Sequence, residues 1–421
     1  MMSQGNGEAK PKAPALALRR EQPRLRILCT EITPYRQLME RARTDLGFDL
    51  EFEVHDFVTA QRIAATQPDR YDVYDQCFHN LDIVWYWRAI KPIEIDRIEL
   101  WDEVNDLTKK GAINSAGSVG LGDAPVTRLY VQQDNSLSSA PSSRISMLPT
   151  VHNFDSFAVN ETAAGIDVDR DVRSWAELLS PRWKGRISIV DEPAIGFFDI
   201  ALAARAAGKV TFSDPGNMSV DEIDALMDFA RDLKHKGYFV PFWKTAQDAT
   251  RLMENNDVVI SSMWSPSVVA LKARHIRTRQ AVPIEGYRGW HGGLCIARHL
   301  EGHRLDQAYT YLNWFLSGWP GAVAARQGYY ISVPERVRDH LDEGEWAYWY
   351  EGKPAPRALP DPNGIPAIRP GEVRSGGSYW SRASQIAIWN TTMDEHNYLV
   401  RRWGELTGNG QERGAGQRRS V

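Results

Sequence analysis

In EGYRGWHGGLCIARH, residues 285–299, Trp290 and His291 stand among Gly286, Gly289, Gly292 and Gly293. The glycines free the backbone to turn and let another group come close to it. An indole in that setting is either a ligand wall, whose face attracts a cation, or a ring packed over a turn. A second indole, Trp264, ends the strand-like DVVISSMW. Polar side chains gather at other strand ends: Cys29, Thr30 and Glu31 after LRILC, His79 after YDVYDQCF, and the adjacent acids Asp191 and Glu192 in SIVDEP. Neighbouring carboxylates at a strand end are ordinarily solvated, and a lone histidine is ordinarily a structural hydrogen-bonding residue, although His79, His152 and His291 could meet in a cleft. Tyr329 and Tyr330 have the phenols of an iron site, but no histidine and carboxylate cluster accompanies them.

Enzyme signatures are missing. There is no HExxH, GxSxG, Walker A or GxGxxG, and GSVGLGD has the wrong spacing. Rings and acids at strand ends describe a cleft that binds better than one that reacts. The chain has 421 residues, which exceeds the usual size of one core and points to two lobes. A net charge of −4 with no basic stripe gives no case for nucleic acid. Three cysteines, Cys29, Cys77 and Cys295, lie too far apart for a zinc knuckle. The longest apolar run, AIGFFDIALAA, is broken by Asp199 and too short to span a membrane.

Several elements must position these residues. LRILCTE reads as a buried strand, TPYRQLMERARTDLG as a helix stopped by Gly47, FDLEFEVHDF as an alternating strand and YDVYDQC as a third strand. The βαβ pattern predicts a parallel sheet with ligands beyond its carboxyl ends. After the loop-rich NSAGSVGLGDAP a second α/β pattern begins: HNFDSFAVN as a strand, then a helix, a turn and a strand ending at Asp191 and Glu192. In the helix SVDEIDALMDFARDLKHKG, Ser219 and Glu222 form a capping box and Gly237 is the stop. LDQAYTYLNWFLSG is a late helix. The polar start at 1–23 and the Gly- and Arg-rich end at 408–421 read as disordered tails, and ALAL is too short to be the core of a secretory leader. Cys29 and Cys77 end neighbouring strands and are candidates for a disulfide, with strict geometry against it.

The order of these segments resembles the periplasmic solute-binding proteins of the type II fold, in the cluster that includes the spermidine/putrescine-binding proteins. YDVYD, SWAELLSPRWKGRISIVDEP, VVISSMWSPSVVALK, VPIEGYRGWHGGLCIARH, AYTYLNWFLSGWPGAVAARQGYYISVPE and YWSRASQIAIWNTTMDEHNYLVRRW carry the likeness, which runs from about Arg24 to Thr407. The resemblance implies an α/β, two-lobed type II periplasmic binding protein fold with an interlobe ligand cleft. Lobe one would comprise 24–150 with 281–330, and lobe two 151–280 with 331–407. It implies a monomer without cofactor or catalysis that closes on a small, polyamine-like amine and delivers it to an ABC permease complex in the inner membrane. A periplasmic location follows from the likeness, although no signal peptide is visible.

By position, Glu31 matches a family acid, Trp264 and Trp290 match two aromatic walls, and Tyr329 matches a third. His79 falls where the family often has a tyrosine. Departures are Cys29 and Ile32 in aromatic positions, Gly292 where polyamine binders have an amine-gripping aspartate, and Gly196 in place of another acid. Asp155 is an acid that the polyamine pattern does not require. The expected ligand set is thus Glu31, His79, Asp155, Trp264, Trp290, His291 and Tyr329. The departures also admit a zwitterionic amino-acid derivative or opine, with Arg288, His291 and the backbone at Gly292–Gly293 as donors. A cytoplasmic enzyme or a ligand sensor on the same scaffold is the rival reading.

Overall fold

The computed structural model describes residues 24–30, 36–115, 117 and 119–408. Glu31 and the two expected tails, Gly408 apart, lie outside the described residues. The first three strands meet the βαβ expectation. Leu25–Thr30 pairs in parallel with Leu50–His55 on one side and Val73–Cys77 on the other. The helices Arg36–Asp45 and Phe57–Thr66 supply the crossovers, and Asp56 caps the second by accepting from the Thr59 N–H at 2.9 Å. Of the face expected to be buried on Leu50–His55, Leu50 is covered while Val54 is 44% exposed. This strand ends the order of the sheet, so its far end has less to pack against.

The larger sheet has eight strands among the described residues. Its centre is the strand Tyr287–Ala297, buried at every position and antiparallel to Leu148–Asp155 and Val73–Cys77. The glycines of the WHGG segment have a packing reason. A Cβ on Gly293 would stand 2.4 Å from the Met147 sulfur and 2.7 Å from the Leu148 carbonyl oxygen. One on Gly289 would meet the Trp389 ring at 2.9 Å, and one on Gly292 the Val151 carbonyl oxygen at 3.1 Å. Gly292 pairs in register with Cys77, and Gly293 with Gln76 and Pro149. The expectation that this backbone greets a ligand is therefore corrected: the glycines let neighbouring strands and rings close on the central strand.

A smaller sheet orders Ile187–Ser188, Ile260–Ser262, Phe157–Asn160 and Thr278–Gln280. Its core holds Trp175, Phe197, Phe198 and Trp403. The expected capping box is present: the Glu222 N–H donates to the Ser219 hydroxyl at 3.3 Å, and the Ser219 N–H to the Glu222 carboxylate at 2.9 Å. The helix Val220–His235 follows, and Gly237 has φ +72°. The strand expected to run to Glu192 stops at Ser188, and the helix expected before it is a pair of short 3-10 turns, Trp175–Leu179 and Pro181–Trp183. Pro181 starts the second turn and breaks the run.

The chain passes between the two sheets in three places. Leu148–Asp155 lies in the larger sheet and Phe157–Asn160 in the smaller, so HNFDSFAVN is two strands that part at Ser156. The return falls between Gln280 and Tyr287. The third crossing follows Trp389, whose strand Ile386–Trp389 pairs with the centre of the larger sheet, while the helix His396–Thr407 packs in the smaller core. Thus 331–389, expected in lobe two, begins and ends at the larger sheet, where Tyr330–Ile331 pairs with Leu148–Asp155 and Ile386–Trp389 with Tyr287–Ala297.

Cys29, Cys77 and Cys295 are buried free thiols. Cys29 pairs in register with Asp75, which puts Cys77 two residues further along its strand. That offset separates the Cα atoms by roughly 8 Å, beyond the reach of a disulfide. Gly293→Ala is expected to cost ~1–3 kcal/mol of stability by overpacking against Met147 and the Leu148 carbonyl. Urea unfolding checks it, and an unchanged midpoint would show that the strand has slack.

Candidate functional site

The three crossing segments meet at Arg288. It is 1% exposed and stands one residue into the central strand, in register with Asp155. Its Nε donates to Asp199 Oδ1 at 2.7 Å and its Nη1 to Asn390 Oδ1 at 2.6 Å. Asp155 ends the first crossing strand, Asn390 begins the third crossing, and Asp199 comes from the helix Gly196–Ala206 of the smaller core. One guanidinium therefore touches both cores. Its remaining nitrogen, Nη2, is buried without a hydrogen-bond partner among the described residues.

Carboxylates outnumber it. Asp155 is fully buried, accepting from Trp290 Nε1 at 2.7 Å on one oxygen and from Asn153 Nδ2 at 2.7 Å on the other. Burial pushes its pKa up to about 6, against the pull of Arg288 and the Trp290 N–H. Burial likewise raises Asp199, opposed by Arg288. Glu192, in the turn before the Asp199 helix, is half-buried as a residue, but its Oε2 is shut from solvent and has no hydrogen-bond partner. Loss of water pushes this carboxyl up to about 8, against the N–H groups of Ala194 and Ile195 and the charge of Arg288. His79 is buried with Nε2 unpartnered. Desolvation first, then the charges of His396, Arg288 and Arg128, lowers it to about 3, so its ring is neutral near pH 7. The locus thus sets three carboxyl groups against the Arg288 guanidinium in a dry setting, with Arg382 acting on Asp155 from further off, an arrangement in which the acids hold protons or await a further cation.

Aromatic rings flank it. The Tyr329 ring meets the Trp290 ring edge-on with centroids 5.0 Å apart. Trp264 caps the start of the helix Ser265–Ala273, and its ring sits edge-on to Trp243 at 4.8 Å and near Phe57 at 6.2 Å. The next residue, Ser265, accepts from Asn153 Nδ2 at 2.8 Å, which joins this wall to the Asp155 cluster. Trp264 and Tyr329 line one cavity of about 670 Å³ with Thr250, Arg251, Arg274 and Gln327. That volume suits a small organic ligand.

Of the residues read from the sequence, Asp155, Trp290 and Tyr329 come together, His79 lies within the electrostatic reach of Arg288, and Trp264 shares the cavity wall with Tyr329. His291 does not join them. Adjacent strand residues face opposite ways, and the ring of His291 stacks on His152 at 4.6 Å. Its Nε2 bonds Thr108 Oγ1 at 2.8 Å and its Nδ1 the carbonyl of Gly292 at 2.8 Å. Both nitrogens are thus used in the core of the larger sheet, and burial lowers the ring to about 4. The expected donor role of His291 is corrected on that ground. Sequence reasoning overlooked Asp199 and Asn390. Asp199 had a signal: a lone acid inside an apolar helix must be paired if it is buried. Among the described residues no three His, Cys, Asp or Glu side chains are grouped to hold a metal ion, and no helix is long and apolar enough to cross a membrane.

Residues 139–340 match the bacterial extracellular solute-binding protein family, which bears out the resemblance read from the sequence. Solved structures agree in fold. A putative spermidine/putrescine ABC transporter protein from Listeria monocytogenes superposes with a TM-score of 0.63 at 11% identity, covering 91% of this chain and 98% of that one. The spermidine/putrescine ABC transporter substrate-binding protein of Streptococcus pneumoniae gives 0.56 at 14%, covering 93% and 99%. A binding protein from A. tumefaciens B6 in complex with glucopine gives 0.55 at 10%, covering 91% and 100%. At such identities the likeness establishes the two-lobed α/β fold.

Trp290→Phe keeps a ring but removes the N–H that supports ionised Asp155. The Asp155 pKa should rise further above about 6, read by carbon-13 NMR of the carboxyl group. An unmoved titration would show that Trp290 does not hold the charge.

Proposed function

We propose that this chain is the solute-binding component of an ABC importer, working outside the cytoplasmic membrane and passing a small amine-bearing solute to a membrane permease. The family match over 139–340 and the fold support the first half of that reading. One observation carries the second: the Arg288 guanidinium faces three carboxyl groups, Asp155, Asp199 and Glu192, and the buried Glu192 Oε2 has no hydrogen-bond partner among the described residues. An ammonium placed there would gain charged hydrogen bonds in a dry site, while Trp290, Tyr329 and Trp264 would cover its methylene chain and offer ring faces. The two sheets act as lobes. Contacts from Asp155 and Trp290 on one side and Glu192 and Asp199 on the other are complete only when the lobes are together, so a ligand touching both shifts the hinge equilibrium toward closure.

A second reading, a zwitterion that pairs its carboxylate with the guanidinium, is favoured by the unpartnered Nη2 of Arg288. The two differ in what they ask of Arg288, and a titration of putrescine against an amino-acid derivative such as an opine separates them. A putrescine-only response would remove the second reading.

The acids also set a pH dependence. In the ligand-free protein Glu192 titrates near 8 and Asp155 near 6, both above ordinary carboxylates. The folded protein therefore keeps protons that the unfolded chain has lost. This contribution to stability is present below the ordinary carboxylate range and disappears as pH rises through about 6 and then about 8. An arriving ammonium favours the ionised acids, so binding releases protons. Affinity should rise over the same window, by up to about tenfold per pH unit for each proton released. Calorimetry in buffers of different ionisation enthalpy measures the release. Glu192→Gln should abolish the share that titrates near 8 and weaken amine binding by ~1–3 kcal/mol. Trp290→Ala should also weaken it by ~1–3 kcal/mol through lost burial and cation–π attraction. Wild-type affinity for every amine in both variants would sink the proposal.

A further inference from the structure

A separate cavity of about 320 Å³ is walled by the helix Ser265–Ala273, the strand Thr278–Gln280 and the turn at 369–372. Four of its lining side chains are cationic, Lys272, Arg277, Arg279 and Arg369, and two are acidic, Glu161 and Glu372. This local excess of positive charge runs against the chain as a whole, whose net charge is −4. The acids are already engaged. Glu372 takes Lys272 and also the Tyr348 hydroxyl at 3.2 Å. Glu161 accepts the Val168 N–H at 3.4 Å and stands 3.6 Å from Arg277.

The guanidiniums retain donors. Arg279 meets Asp169 through Nη2, yet its Nε is buried without a hydrogen-bond partner. Arg369 gives one N–H to the His275 carbonyl at 3.4 Å. A guanidinium carries five N–H donors in a planar fork, which fits two oxygens of one carboxylate or phosphate. We propose that this cavity is a second binding site, for a small polyvalent oxyanion of the dicarboxylate, tricarboxylate or phosphate class, held by Arg279 and Arg369 with Arg277 and Lys272 beside them. Arg279 belongs to the smaller sheet, whereas Arg369 directly follows Ala367 and Ile368 of the larger core. An anion shared by the two arginines therefore joins the strand Thr278–Gln280 to the turn after Ile368, at a point apart from Arg288.

The test is calorimetry on the full chain with citrate and with inorganic phosphate, at ionic strength matched with chloride. One equivalent of at least one anion should bind. Arg279→Gln and Arg369→Gln should each weaken it by at least about tenfold. Glu161→Gln should tighten it by removing a carboxylate that competes for Arg277, and that variant decides the matter should the arginine variants fail to fold. Trp290→Ala should bind the anion as the wild type does, which separates this site from the amine site. No saturable heat with either anion, or one affinity across wild type, Arg279→Gln, Arg369→Gln and Glu161→Gln, would overturn the proposal.

Discussion

The buried contact between Arg288 and Asp199 is the constraint on which the rest depends. Both side chains are almost wholly removed from water, so each is tolerable only because the other is there. Breaking such a pair from one side typically costs ~3–5 kcal/mol. The pair does more than cancel charge. Arg288 stands on the central strand of the larger sheet, Asp199 on a helix of the smaller core, and Asn390 brings in the third crossing. Lysine could not do this, because a single ammonium lacks the planar fork that reaches two partners at fixed angles.

Around that contact the protein places acid beyond what the guanidinium neutralises. The excess explains why Asp155 and Glu192 hold protons so far above the ordinary carboxylate range: burial removes water, and the pull of Arg288, joined at Asp155 by Arg382, does not offset that loss. The indole N–H of Trp290 is the principal side-chain donor that keeps Asp155 from rising further. Trp290 thus has two roles at once, a donor toward the acid and an edge contact toward Tyr329.

Much of this was legible in the sequence. The parallel strands with their crossover helices, the Ser219–Glu222 cap and the delivery of Trp264 from a strand end all followed from local pattern, because each is decided by residues close in sequence. What escaped was decided by distant neighbours. HNFDSFAVN reads as one strand-like run without a glycine or proline, so nothing local marks the change of sheet at Ser156. The glycines beside Trp290 looked like open space, and only the approach of Met147 and Val151 reveals them as close packing. His291 was grouped with Trp290 by adjacency, although strand parity alone sends the two side chains to opposite faces. Asp199 reads in the sequence only as a break in an apolar run, because its partner lies 89 positions away.

The central strand has one more consequence, which concerns time. Tyr287–Ala297 sits between Leu148–Asp155 and Val73–Cys77, yet it is made after both. A ribosome releases the smaller sheet as one continuous stretch, from Phe157 to Gln280, before the middle of the larger one exists. Until then two apolar strands keep bare edges, the condition under which chains mispair with one another. The larger sheet therefore closes by long-range pairing, the slow kind, and the smaller core is completed later still, when the helix His396–Thr407 is made.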